Sequence, residues 1–194
     1  TEKIRYIADQ QQVMRADVEA PWPEAGDSKA LAAARDAIAG HDVMVISDYA
    51  KGFLPPALVK DLIALGRTHG KPVIVDPKGA DLERYDGATI ITPNSREAGL
   101  ATALESGSDT AVAAAAQNLL ARLPGLNAAL ITRGAAGLSL AVRDRGITHI
   151  AGHPREVFDV SGAGDTVVAA LELGLAAGGG LETAARLAHI AAGI

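Results

Sequence analysis

The sequence predicts an α/β fold: a mostly parallel sheet covered by helices on both faces, with an antiparallel edge. Three observations carry this. Short apolar runs of strand length ("DVMVIS", "KPVIVD", "ATIIT", "AALIT") alternate with longer stretches whose apolar residues recur at helical spacing. The strand "AALIT" is followed by "GLSLAVR" and "GITHIA", separated only by the turn signals "RGAAG" and "RDRG", which is the pattern of an antiparallel group. No repeat or low-complexity linker divides the 194 residues, a length sufficient for one domain with its own core.

In chain order, "KIRYIAD" and "QVMRADVE" read as two strands joined by a polar turn. "DSKALAAARDAIAG" reads as a helix that Asp27 or Ser28 caps and Gly40 stops. "DVMVIS" is a buried strand, and "PPALVKDLIALGRTHG" a helix with proline at its start and Gly70 at its end. Two more buried strands, "KPVIVD" and "ATIIT", lead to the helices "SREAGLATAL" and "DTAVAAAAQNLLARL". After the antiparallel group, a strand-like run from Glu156 gives way to the helix "AGDTVVAALELGLAAG", and "LETAARLAHIAAGI" closes the chain as a helix.

Composition narrows the function. Hydrophobic residues make up 48% without a run of membrane-spanning length. A net charge of −5 with interspersed signs argues against a basic nucleic-acid-binding face. The absence of cysteine excludes disulfides and thiolate chemistry and fits a cytoplasmic protein. The 5 histidines show no metal-ligand spacing. The chain opens on strand-like sequence without a methionine, so it is expected to be cut from something longer.

In parallel sheets ligands bind beyond the carboxyl ends of the strands. The clusters there are Asp48 to Gly52, Asp76 to Gly79, Thr92 to Glu97, Thr132 to Gly137 and Asp159 to Asp165, all polar or glycine-rich. In "SGAGD", a glycine-rich turn meets a helix N-terminus whose free N–H groups suit a phosphate. Asp165 beside that anion site suits a base that takes a proton from an incoming hydroxyl, as phosphoryl transfer requires. It equally suits a first-turn acid that complements the helix dipole. Asn94 and Glu97, three apart, suit Mg²⁺ held through waters, or an N-cap with its partner acid. "ITRGAAGL" sets Gly134 and Gly137 either against a nucleotide or in a hairpin turn. Lys51 and Lys78 each follow a strand, available to a phosphate or simply solvated.

Together these motifs resemble the ribokinase-like (PfkB-type) carbohydrate kinases. "DVSGAGDTVVAAL" is similar to that family's C-terminal signature, "NSRE" to its N-x-x-E motif and "ITRGAAG" to its T-x-G-x-x-G element. More narrowly, "SDYAKGFL", "VIVDPKGADLERYDGATIITPN" and "REVFDVSGAGDTV" resemble the D-glycero-β-D-manno-heptose-7-phosphate kinases. The resemblance implies a ribokinase-like fold and ATP-dependent conversion of the heptose 7-phosphate to the 1,7-bisphosphate, towards ADP-heptose for lipopolysaccharide. Another sugar kinase of the family, such as a ribokinase or fructokinase, and a non-catalytic nucleotide-binding fragment are the alternatives.

By the same resemblance Asp165 is the base, and Gly162, Ala163 and Gly164 form the anion hole. Asn94 and Glu97 organise Mg²⁺ and the triphosphate. Thr132, Gly134 and Gly137 line the ATP pocket, which Lys78 and His189 also serve. Asp48 and Lys51 face the sugar phosphate. Ala188 and His189 depart from the "AN" that family members often carry near adenine. The implied partners are a small sugar phosphate, a second copy of the chain, and a fused or separate nucleotidyltransferase, with neither nucleic acid nor membrane. Residues 1–194 are expected to be one partial kinase domain, without the family's N-terminal sugar-binding and lid portion and its extreme C-terminus.

Overall fold

A computed structural model describes residues 2–8, 11–18, 25–105, 107–152 and 162–193. The strand-like run from Glu156, with Asp159, lies outside the described residues. Strands β1 (Glu2–Ala8) and β2 (Gln11–Val18) form a separate two-stranded antiparallel sheet, with a register shift between Tyr6 and Ile7. Helix α1 (Ala25–Ala37) then leads into β3 (Met44–Ser47). It starts earlier than its capping residues suggested. Asp27 lies inside the first turn, where a carboxylate favours the helix dipole, and the exit is a 3₁₀ turn, Ile38–Gly40.

Helix α2 (Pro56–Thr68) carries proline at its first position, where a missing N–H costs nothing. Strand β4 (Val73–Asp76) and the two-residue β5 (Ile90–Ile91) follow, then α3 (Ser95–Thr102), α4 (Asp109–Arg122) and β6 (Ala128–Thr132). Ser108 caps α4 by accepting the Ala111 N–H at 3.2 Å. Strands β7 (Leu138–Val142) and β8 (Gly146–Ile150) precede α5 (Ala163–Ala176) and α6 (Leu181–Ala192).

The main sheet runs β3-β4-β5-β6-β7-β8. The first four strands are parallel, and β7 and β8 are antiparallel to their neighbours. Alternation along each strand divides the apolar residues between two cores. Val73 and Val75 join α2 and α4 on one face through Val59, Ile63 and Leu119. Ile74, between them, joins α5 and α6 on the other through Val167, Leu171 and Ala185. A strand buried on both faces reads as a continuous apolar run, which is why "VIV" carries no polar residue. Among the described residues, no helix is long and apolar enough to cross a membrane.

Candidate active site

The carboxyl ends of β3 to β6 and the N-terminus of α5 enclose a cavity of about 250 Å³. Its lining comprises Tyr49, Asp76, Lys78, Thr92, Asn94, Glu97, Thr132, Gly162, Gly164 and Asp165. Four of the five strand-end clusters therefore contribute directly through Tyr49, through Asp76 and Lys78, through Thr92, Asn94 and Glu97, and through Thr132; the fifth contributes through Gly162, Gly164 and Asp165.

Asn94 caps α3 in a reciprocal box. Its Oδ1 accepts the Glu97 N–H at 2.9 Å, and Glu97 Oε2 accepts the Asn94 N–H at 3.0 Å. The second Glu97 oxygen, Oε1, faces Lys78 Nζ at 3.1 Å. The cap and the cavity thus use different atoms of one carboxylate. Glu97 is buried, and its hydrogen bond holds the Lys78 ammonium above the usual lysine value, with Asp76 and Tyr49 adding to the effect.

Gly162 caps α5 with a left-handed backbone (φ 81°) and without a side-chain bond. The first N–H groups of a helix have no partner within it. A Cβ built on Gly162 or Gly164 meets no atom within 4 Å, so both glycines border open space. Asp165 stands in this first turn, exposed, and lines the cavity.

Asp76, at the end of β4, shares the cavity. Burial raises its carboxyl above the usual value; Lys78 opposes this, while the charges of Glu97 and Asp165 reinforce it. Thr92 Oγ1 donates to Asp76 at 3.4 Å. Three carboxylates and one ammonium thus line one cavity, with the start of α5 on one wall. Such a site can take a polyanion with its counter-cation and accept a proton beside it.

Several residues expected at the site fall elsewhere in the structure. Asp48 is not among the residues that line the cavity. It is 4% exposed and accepts from Tyr85 Oη at 2.7 Å and the Ala50 N–H at 2.7 Å, with Arg84 Nη2 at 3.4 Å. Both Asp48 oxygens are thus engaged within the protein, in the segment that precedes Tyr49. Lys51 reaches Asp17 of β2 at 3.3 Å and joins the small sheet to the loop after β3. Gly134 and Gly137 form the β6–β7 hairpin turn, and His189 is buried in α6; none of these lines the cavity. Gly137 allows close backbone approach, since a Cβ there would stand 2.1 Å from the Ile150 carbonyl oxygen.

Tyr49, Asp76 and Thr92 line the cavity but carry no obvious motif. Each sits within a strand-end cluster, and that position was the available signal.

A family model described as pfkB family carbohydrate kinase matches residues 6–194. The chain is 53% identical over 195 residues to the "Bifunctional protein HldE" of Caulobacter vibrioides, covering 100% of this chain and 40% of that protein. It is 46% identical over 194 residues to the protein of the same name from Rhodospirillum rubrum, covering 99% and 39%. The chain thus spans about 40% of the length of the curated relatives it matches. Among solved structures it resembles Escherichia coli phosphofructokinase-2 in complex with potassium, with a TM-score of 0.81 at 21% identity, covering 98% of this chain and 62% of that one. It also resembles Arabidopsis thaliana ribokinase complexed with ribose and ATP, with a TM-score of 0.70 at 23% identity, covering 85% and 51%.

Proposed function

The chain belongs to the pfkB family of carbohydrate kinases, and from that premise we propose that it carries the phosphoryl-transfer centre of an ATP-dependent sugar-phosphate kinase. The observation that carries the reading is Asp165 in the first turn of α5, bordering the same cavity as Gly162, Gly164 and Lys78. There it is placed to accept a proton from a hydroxyl brought up to the anion site, besides complementing the helix dipole.

In the proposed reaction Asp165 takes the proton of the sugar hydroxyl as that oxygen bonds to the γ-phosphorus of ATP. The bond from that phosphorus to the bridging oxygen breaks, and ADP leaves. The first-turn N–H groups of α5, from Ala163 onward, and the Lys78 ammonium take up charge on the transferring group. Asn94 and Glu97 hold the edge of α3 against the triphosphate. Mg²⁺, when bound, would neutralise triphosphate charge. The oxygen donors of Glu97 and Asn94 suit that hard cation through waters, and among the described residues no cluster of three ligating acids or histidines forms a dedicated cage.

The substrate we assign is D-glycero-β-D-manno-heptose 7-phosphate, phosphorylated at the 1-position. Support comes from the heptose-kinase-like segments around Lys51, Lys78 and Asp165 and from the similarity to HldE proteins. We assign Lys51 to the sugar phosphate, Thr132, Gly134, Gly137 and His189 to the nucleotide side, and a homodimer and a fused or separate nucleotidyltransferase to the whole protein. Residues 1–194 form, in this reading, part of a single kinase domain.

The test is ATP consumption by the full-length protein. ADP release is expected only with the heptose 7-phosphate present. Equal turnover with ribose or fructose would make it another sugar kinase, and ATP binding without sugar-dependent turnover would make it a nucleotide-binding module.

A further inference from the structure

The loop after β3 is held from beneath by a buried polar network that the reaction above does not use. Asp48 accepts the Ala50 N–H across two residues. Ala50 takes a left-handed backbone (φ 53°), unusual for a residue with a Cβ, and Gly52 follows with φ 81°. The Asp48 bond therefore offsets strain in the turn that it closes. The carboxylate is in turn fixed by Tyr85 Oη at 2.7 Å and by Arg84. Arg84 lies over the Tyr85 ring at 5.4 Å and also donates to the Leu54 carbonyl at the far end of the loop. Both ends of the segment from Asp48 to Leu54 are thus anchored to the 3₁₀ turn Glu83–Tyr85.

What this anchoring presents to the cavity is Tyr49. Its side of the loop is open, and the residue is 58% exposed despite its size. The residue shares the cavity lining with Lys78 and with Gly162 and Gly164 of the α5 turn. A tyrosine at the mouth of a polar cavity offers a ring face to the C–H face of a sugar and a hydroxyl to its oxygens.

We infer that Tyr49 is a sugar-contacting residue and that Asp48, Arg84 and Tyr85 are positioning residues that fix it in place. The sugar part of this rests on the kinase reading above.

The test uses the full-length protein with ATP and the heptose 7-phosphate. Tyr49→Ala is expected to raise the sugar KM about tenfold and leave the ATP KM unchanged. Tyr85→Phe removes one hydrogen bond and keeps the buried ring. It is expected to raise the sugar KM in the same direction, and to add nothing further in the Tyr49→Ala background. Hydrogen exchange of residues 48–54 is expected to accelerate in Tyr85→Phe while the central strands stay protected. Additive effects of the two substitutions, or equal shifts of both KM values, would overturn the inference. Unchanged exchange in the loop would overturn the positioning role by itself. If the folded wild-type protein shows no sugar-dependent ATP consumption, the kinase reading and the sugar contact both fail, while the exchange arm still decides the positioning role.

Discussion

Lys78 Nζ lies 3.1 Å from Glu97 Oε1, while the other oxygen of that carboxylate closes the cap of α3. One buried acid therefore fixes the start of a helix and holds a cation at the mouth of the cavity. Removing its charge while keeping its shape separates the two roles. Glu97→Gln can still accept the Asn94 N–H, so the fold is expected to persist. The Mg²⁺ concentration for half-maximal rate is expected to rise. Superimposable Mg²⁺ titrations of variant and wild type would leave Glu97 as a helix-capping acid alone.

Asp165→Asn keeps the side chain's size and removes its basicity. Turnover is expected to fall by ~10²–10⁴ with ATP affinity nearly unchanged. Near-normal turnover would return Asp165 to the role of a dipole-complementing acid. Rapid-quench kinetics with isotope-labelled ATP measures the step directly.

Lys78→Met removes the ammonium that Glu97 and Asp76 keep charged. The ATP KM is expected to rise more than the sugar KM, because the lysine shares its wall of the cavity with the α3 cap. The same substitution at Lys51 is expected to move the sugar KM. No change in any of these constants would reduce both lysines to structural or solvated groups.

Tyr85 is fully buried, and burial together with its bond to Asp48 pushes its phenol well above the usual value of 10.0. A group whose pKa is raised by folding contributes stability below its unfolded value and loses it as pH rises through the folded one. Wild type is therefore expected to lose stability relative to Tyr85→Phe once pH rises past about 10, where the unfolded phenol ionises. Urea midpoints for both proteins between pH 8 and 11 check this. A constant difference across that range contradicts the assignment.

Gly137 has φ 88°, and a Cβ there would collide with the end of β8. Gly137→Ala is expected to destabilise the fold by about 1–3 kcal/mol. Gly134 has a positive φ as well but meets open space, so Gly134→Ala should cost less. Equal denaturation midpoints for the two variants would show that the hairpin relaxes around the added methyl.

The architecture was legible because burial on both faces leaves a local trace. "VIVD" and "AALIT" are apolar at successive positions, and the polar residues after them mark the edge where the cavity forms. The cap at Asn94 was equally legible, since both partners lie within four residues. The partners of Asp48 were not: Arg84 and Tyr85, which hold its carboxylate, lie 36 and 37 positions away. Asp76 was obscured in the same way: Thr92 and Glu97 come to it from one other segment and Asp165 from a second. Helix α1 began before its apparent caps because Asp27 is as well placed inside a first turn as before it.

Glu97 and Asp165 stand on helices that belong to opposite cores. Helix α3 packs through Ala98 on one face of the sheet, and α5 packs through Val167 and Leu171 on the other. The span between the two carboxylates is therefore a gauge of how the layers sit across the sheet. A side chain shortened deep in one core, far from any reacting atom, is expected to shift the packing on that side of the sheet more than on the other. Substitutions such as Leu119→Ala or Leu171→Ala should then detune turnover at temperatures where the protein is still fully folded, each from its own side.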